Sequence, residues 1–438
     1  MISAPDVAGL VLVEAARRGG ADETIVVVTD RATASLRWAG NSMTTNGETR
    51  GRDTTVISIV RKGNGAHVGS VKSSEVDPSA IATMAFTSGT TGRPKGVPFS
   101  QATMGQLIDL GAVNLRMGWR GRCAFIGTFS FPGGVYCVLF PHLRVGGSVA
   151  LISGSGVDEW IDAIRDRRAT MTTMLSPLVR EFTAAARERR TDLTSLQIVL
   201  HSGSAIPRDD LAALVDVLDG RLLEAYGMTE TGLPVSYSYP EDWADPSVED
   251  VYASAGRPIP LVDVVILDPD GNPVPVGQPG EICVASPVLF EGYAGTRDGV
   301  GTGYDAEGWF HSGDIGRLDG AGFLYVTDRL KDMIVSGGIN VFPAEVEAAL
   351  RDHPDVDEVS VVGLPHPRWV ETVAALVVRR AGATLDAEQV VEHARARLAA
   401  YKKPTVVAFA DELPRNANTK VLKDQVRRIL VDATQEQP

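Results

Sequence analysis

The chain has 438 residues, enough at about 150 per domain for two or three domains with a sizeable core. Hydrophobic residues make up 44% and charged residues 22%, the balance of an ordinary soluble globular protein, which excludes wholesale disorder. The net charge of −13, with no Lys/Arg-rich block, argues against nucleic acid as a partner, and three scattered cysteines (Cys123, Cys137, Cys283) exclude a disulfide framework or an all-Cys zinc site and suggest a reducing cytoplasm.

The first residues carry Asp6 and Glu14 and lack a basic region ahead of an apolar run, which is not a signal-peptide pattern. Residues 1–76 read as β-rich, with short strands at 24–29, 34–38, 55–60 and 67–71 between Gly and Asn punctuation. Residues 77–328 alternate apolar runs with helical patterns, as a layered α/β body does. A strand is expected at 81–86. The uncharged stretch 123–143 contains Pro132, Gly133, Gly134 and Pro141, which suits buried strand and turn better than a membrane helix. A strand at 198–201 and a helix at 209–218 follow, then a hairpin pairing 264–267 with 280–284 across Asp268-Pro269-Asp270-Gly271.

From residue 329 the pattern is that of a small α+β unit. A helix starts near Pro343 with Val346, Ala349 and Leu350 on its apolar stripe, and strands follow at 359–362 and 373–378. Asp386 is placed to cap a helix that buries Val390, Val391, Ala394 and Leu398, a last strand runs over 406–409, and the polar tail is expected to fray. The expected fold is therefore α/β: a large layered α/β body, its first subdomain truncated or replaced, plus a small mobile α+β C-terminal domain over 329–438.

One loop stands out chemically. Thr87-Ser88-Gly89-Thr90-Thr91-Gly92-Arg93-Pro94-Lys95-Gly96 follows the apolar run at 81–86. Its glycines permit close backbone approach to an anion, its hydroxyls donate to phosphate oxygens, and Lys95 adds a compact positive charge. The order differs from the Gly-Lys-Ser/Thr of nucleoside-triphosphatase loops that lead into a helix; Pro94 before the lysine and Val97-Pro98 after it predict extended chain. By composition the segment is either a phosphate cradle or a surface linker.

The decapeptide resembles the signature loop of the adenylate-forming superfamily: acyl-CoA synthetases, nonribosomal adenylation domains and luciferases. Further stretches resembling that superfamily's motifs follow in order: Tyr226-Gly227-Met228-Thr229-Glu230, Trp309 to Asp314, Asp328 to Asp332, Ser336 to Asn340, and Pro414 to Lys420. The resemblance covers residues 80–430. It implies attack of a carboxylate on the α-phosphorus of ATP, giving an acyl adenylate and pyrophosphate, then acyl transfer to a thiol. Such chemistry is driven by positioning and electrostatics, not by a protein nucleophile. Accordingly none of the seven histidines is given a catalytic part; each is read as a surface or satisfied core residue.

The same resemblance implies roles by position. The loop Thr87, Ser88, Gly89, Thr90, Thr91, Gly92 and Lys95 would hold the β- and γ-phosphates; Thr229 would meet the α-phosphate, and Glu230 would carry Mg²⁺. Tyr226 would stack on adenine, with Gly203, Ser204, Ala205, Gly227 and Met228 beside the nucleotide, and Asp314 with Arg329 would bind the ribose. Lys420 would bridge carboxylate and α-phosphate as the key catalytic group, Lys331 would be the hinge, and Gly337 and Gly338 would line the CoA side after a domain rotation. Acyl-pocket candidates are Phe129, Phe131, Met174, Ser176, Ser202, Gly203, Ser204 and Met228, a mostly neutral set that points to an uncharged aryl or medium alkyl acid.

Three departures qualify the resemblance. Thr419 stands where a glycine usually precedes the lysine, and Phe131 where a histidine usually gates the acyl pocket. Only 86 residues precede the loop, fewer than full-length members carry, and Gly20 to Val28 with Ser42 to Gly47 is similar to the N-terminal region of TldD/PmbA-type proteins, without their HExxxH zinc helix. The leading reading is a cytoplasmic acid–CoA ligase using ATP, Mg²⁺ and CoA. The alternatives are an adenylation enzyme that passes its acid to a carrier protein or amine, and a noncatalytic nucleotide-binding remnant.

Overall fold

The computed structural model describes residues 37–38, 41–42, 77–87, 95–119, 121–126, 129, 132–152, 156–204, 206–294, 303–415 and 421–435. The strands expected at 24–29, 55–60 and 67–71 lie outside these; from the one expected at 34–38, Arg37–Trp38 (β1) pairs with Asn41–Ser42 (β2). The chain divides into two compact units: Met1–Val264 with Val284–His311 and Ala321–Leu324, and Val265–Cys283 with Ser312–Gly320 and Tyr325–Pro438.

In the first unit, Ile81–Thr87 (β3) and Lys95–Ser100 (β4) form an antiparallel hairpin in which Thr87 pairs with Lys95. The glycine-rich decapeptide is thus the connection of a hairpin and leads into strand, as Pro94 and Pro98 foreshadowed. Ser100 caps the next helix, Gln101–Asn114 (α1), its Oγ accepting the Thr103 N–H at 3.2 Å.

Arg122–Ile126 (β5) is strand, but the rest of the uncharged stretch is helical: a π-helical segment over Gly134–Leu139 runs into Phe140–Arg144 (α2). This corrects the expectation of strand and turn. Val135, Tyr136, Cys137, Val138 and Leu139 are all buried, and a uniformly apolar run carries no period to separate helix from strand.

The unit continues through Ser148–Ile152 (β6), Val157–Asp166 (α3), Met171–Met174 (β7), Val179–Arg189 (α4), Ile198–Ser202 (β8), Arg208–Val217 (α5), Leu222–Gly227 (β9), Pro234–Ser238 (β10) and Arg257–Pro258 (β11). The sheet order is β11-β10-β9-β8-β7-β5-β6; β6, β5, β7, β8 and β9 are parallel, and β10 and β11 are antiparallel additions. Helices α3, α4 and α5 pack Trp160, Ile161, Ile164, Phe182 and Leu214 against Val199 and Leu222 of the sheet. Trp160 is fully buried, and its indole N–H donates to Thr172 Oγ1 at 2.8 Å.

Most of the second unit follows in sequence. Asp263–Leu267 (β12), Gly280–Ala285 (β13), Phe310–Leu318 (β14) and Leu324–Arg329 (β15) form a four-stranded sheet in that order. The expected turn exists, with Gly271 N–H on Asp268 O, but it closes on Val274, whose N–H donates to Ile266 O, before the chain reaches β13. Ile334–Ser336 (β16), Ile339–Val341 (β17), Pro343–Arg351 (α6), Val356–His366 (β18), Val370–Arg379 (β19), Ala387–Arg395 (α7), Val406–Ala410 (β20) and Lys423–Gln435 (α8) complete it.

Strands β18 and β19 are buried on both faces. Val359, Val361, Val373, Ala375 and Val377 join Val346, Leu350, Val390 and Ala394 of α6 and α7, while Val362, Leu364, Ala374 and Leu376 meet Val426 and Leu430 of α8. Asp386 caps α7 as expected, accepting the Gln389 N–H at 2.8 Å. The tail expected to fray is instead α8: Val426 and Leu430, one turn apart, are both fully buried.

Candidate active site

The first unit brings Lys95 and Glu230, far apart in sequence, to one place through the segment around Tyr293. The Tyr293 hydroxyl donates to Glu230 Oε1 at 2.8 Å, and the Lys95 ammonium lies 4.6 Å from the Tyr293 ring centroid. The backbone of the segment ties both sides, since Ala294 N–H donates to Gly96 O at 2.8 Å and Phe290 N–H to Glu230 O at 3.2 Å. Phe290 anchors the segment in an aromatic cluster with Tyr304 and Phe310. Burial and the neighbouring Glu230 carboxylate push the Tyr293 phenol well above its ordinary range, so it acts as a neutral donor.

Tyr226, Gly227 and Met228 lie at the carboxyl end of β9, where parallel α/β sheets hold ligands, and Thr229 and Glu230 open the short helical turn Thr229–Thr231. The buried Thr231 hydroxyl, 3.2 Å from the Met228 N–H and 2.8 Å from the Met228 carbonyl, fixes that turn. A side chain at Gly227 would sit 2.7 Å from Pro234 Cα, so only glycine lets β10 pass that closely. Thr87 and Lys95 face each other across the hairpin base. Ser88, Gly89, Thr90, Thr91, Gly92, Ala205, Phe131 and Lys420 lie outside the described residues.

Among the acyl-pocket candidates, Phe129 stacks on Phe125 with centroids 5.0 Å apart. Ser202, the last residue of β8, and Gly203 and Ser204 just beyond it are exposed, and Met228 is half-buried. Met174 belongs to the hydrophobic core with Val179 and Phe182 and is buried. Ser176, two residues past the end of β7, hydrogen-bonds His201.

That contact makes His201 the satisfied core histidine the sequence reading allows, and adds its partners. His201 is fully buried and engaged on both ring nitrogens, by Ser176 Oγ at 2.8 Å and by the Glu224 carboxylate at 2.7 and 2.8 Å. Its partners are distant in sequence; β7, β8 and β9 lie side by side and bring them together. The visible signal is two apolar strand runs, IVLH and LLEA, each carrying one ionisable residue.

In the second unit Asp314 is 5% exposed and lies 3.3 Å from Arg329 Nε, so the two expected ribose residues are adjacent. Asp328 accepts the Arg329 N–H at 2.7 Å through one oxygen and the Ala344 N–H, at the start of α6, at 2.8 Å through the other. This carboxylate thereby pins the segment holding exposed Lys331 to a helix N-terminus. Gly337 and Gly338 form the two-residue turn between β16 and β17 with φ of 61° and 82°, a conformation only glycine pairs adopt freely. Gly337 N–H donates to the Trp369 carbonyl at 2.9 Å, and Trp369 stacks on His366.

The AMP-binding enzyme family matches residues 8–294, and the C-terminal domain of AMP-binding enzymes matches residues 345–420. The first match takes in nearly all of the segment read as similar to TldD/PmbA-type proteins. A feruloyl-CoA synthase of an Amycolatopsis species is 35% identical over 348 residues, covering 80% of this chain and 70% of the relative. The solved o-succinylbenzoate CoA synthetase of Bacillus subtilis, in complex with its acyl-adenylate intermediate, is 30% identical with a TM-score of 0.69, covering 80% of this chain and 70% of that one. The amide bond synthetase of Marinactinospora thermotolerans is 32% identical with a TM-score of 0.72 and the same coverage. Among the described residues no helix is long and apolar enough to cross a membrane.

Proposed function

This chain belongs to the AMP-binding enzyme family, and we propose that it activates a carboxylic acid with ATP as an acyl adenylate and then forms the CoA thioester. The observation that carries this reading is the junction of Lys95 and Glu230 through Tyr293, which sets a cation and a carboxylate at the hairpin base and the β9 terminus. A carboxylate oxygen bonds to the α-phosphorus of ATP, the bond to the β-phosphate oxygen breaks, and pyrophosphate leaves. The thiol of CoA then takes the acyl carbon and AMP departs.

Lys95 with Thr87 and the loop between them would hold the β- and γ-phosphates, and Thr229 would donate to the α-phosphate. Tyr226 would bear on adenine, and Asp314 would accept from the ribose hydroxyls beside Arg329. The Glu230 carboxylate offers oxygen, the donor that suits Mg²⁺, and the Tyr293 hydroxyl holds its orientation. A magnesium ion on Glu230 would neutralise phosphate charge. Lys420 would bring an ammonium to the reacting oxygens, with Lys331 as hinge and the Gly337-Gly338 turn serving the thiol half-reaction. An uncharged aryl or medium alkyl acid accords with the neutral residues around Ser202–Ser204.

Acid-dependent exchange of pyrophosphate into ATP tests the first half, and acyl-CoA formation by the same enzyme tests the second. Exchange without acyl-CoA, but with acyl transfer to a carrier protein or an amine, would move the assignment to those acceptors, a course to which the likeness to an amide bond synthetase gives weight. Absence of exchange with a broad acid panel would leave only a nucleotide-binding remnant.

A further inference from the structure

We propose that Ser176, His201 and Glu224 form a recognition relay in the acid-binding region, selecting acids whose acyl part carries a hydrogen-bond donor such as a ring hydroxyl. The inference rests on the ligase reading, which places the acid beyond the carboxyl ends of β7, β8 and β9.

The three groups belong to three adjacent parallel strands or the turn just after one. Met174 is in register with His201, and His201 with Glu224. His201 Nδ1 lies 2.7 and 2.8 Å from the two Glu224 oxygens, and Nε2 lies 2.8 Å from Ser176 Oγ. A carboxylate accepts, so Nδ1–H donates to Glu224, and Nε2 meets the Ser176 hydroxyl.

The proton count fixes what faces outward. Ser176 has one proton, and His201 Nε2 and the Ser204 carbonyl oxygen at 3.2 Å are both placed to take it, so towards any further group its oxygen only accepts. Ser204 Oγ lies 2.7 Å from it, and the Ser204 hydroxyl and carbonyl oxygens add further acceptor lone pairs at the same end. Ser204 is exposed and Ser176 half-buried, so this oxygen-rich end opens to the outside while the imidazole is fully buried. A surface made of acceptors takes a donor. A buried imidazole–carboxylate pair loses hydration without gaining more stability than apolar side chains would give, and fixing an orientation is the return for that loss.

Serine, histidine and carboxylate in this order also serve as nucleophile, base and orienting group in hydrolases. Here Pro177 follows Ser176 and has no N–H to offer an oxyanion, the position that supplies it at a nucleophile elbow. Ser176 is therefore set for recognition.

The test measures kcat/KM for pyrophosphate release with benzoate and cinnamate against their 3- and 4-hydroxy derivatives. The native enzyme is expected to favour at least one hydroxylated acid over its parent by about tenfold, the worth of one hydrogen bond. That ratio should fall to about one in Ser176→Ala and in His201→Gln, whatever the absolute rates, and survive in Ser176→Thr. A native preference for the unsubstituted acids, an unchanged ratio in both variants, or equal loss of both acids in them overturns the relay and leaves the ligase reading standing. Absence of pyrophosphate release with every acid of a broad panel overturns the ligase reading and the relay with it.

Discussion

The two units place chemistry by different means. In the first, the groups of interest sit at the ends of strands, those of a parallel sheet whose centre is buried and those of the β3–β4 hairpin, and strand pairing sets their spacing. In the second, Asp314 and Arg329 meet across strands, but Lys331, Gly337 and Gly338 ride on turns, with contacts such as Asp328 to Ala344 N–H and Gly337 N–H to Trp369 O beside them. Strand ends give precise, fixed geometry, and turns give groups that can be presented and withdrawn. This contrast suits an enzyme whose nucleotide site stays constant while a second element serves two half-reactions.

The largest effect expected tests how far the first unit depends on its core. Trp160→Ala removes a fully buried indole, its contact with Phe182 and its bond to Thr172, and should lower the stability of that unit by about 3–5 kcal/mol. In denaturant unfolding followed by unit-specific probes, only the first-unit transition should move; an equal loss in both would break the contrast. Next comes Lys420→Ala, expected to slow acid-dependent pyrophosphate exchange by about 10²–10³. Thioester formation from an acyl adenylate supplied ready-made should change far less, and equal slowing of both steps would refute separate roles for the two half-reactions.

Much of this was legible in the sequence where period or motif was strong. The strand at 198–201, the helix from Pro343 and the Asp386 cap stand within a few residues of where pattern put them. The superfamily resemblance, carried by ordered motifs, agrees with the family match. What escaped were features fixed by sheet order. Nothing local in RLLE says that Glu224 will face His201, since only the parallel pairing of β8 with β9 puts them in register. Tyr293 likewise matters because its segment bonds to Gly96 and Glu230 at once. The helical 132–144 stretch and α8 were misread because apolar content without a visible polar face, or polar content around two buried residues, hides the period.

A smaller effect sharpens the view that fixed geometry is the first unit's contribution. Tyr293→Phe keeps the ring under Lys95 but removes the hydroxyl that holds Glu230, a bond from a neutral donor to a charged acceptor. Pyrophosphate exchange should fall by about tenfold at limiting magnesium and recover partly as magnesium is raised. A loss that no magnesium concentration relieves would show that the hydroxyl serves the fold, not the carboxylate.

The smallest effect separates the units by pH. Burial alone pushes the Cys137 thiol up to about 12 and Cys123 higher still, and both lie in the first unit, whereas buried Cys283 closes a segment of the second. A group whose folded pKa exceeds its unfolded value contributes stability that is complete below the unfolded pKa and is lost as pH rises towards the folded one. For these thiols the loss begins near pH 8.5 and continues to about 12. Each should therefore cost the first unit roughly 0.5–1 kcal/mol between pH 7 and 9, since ionised thiolates are favoured only in the unfolded chain. The urea midpoint of the first-unit transition should fall over that range, and Cys137→Ala should flatten the slope even though it lowers the midpoint at pH 7. If the midpoint holds steady to pH 9, or if thiol reagents label Cys123 and Cys137 in the native chain at pH 8, the parallel-sheet unit is more open than its buried strands imply, and the contrast with the turn-borne groups of the second unit loses its physical basis.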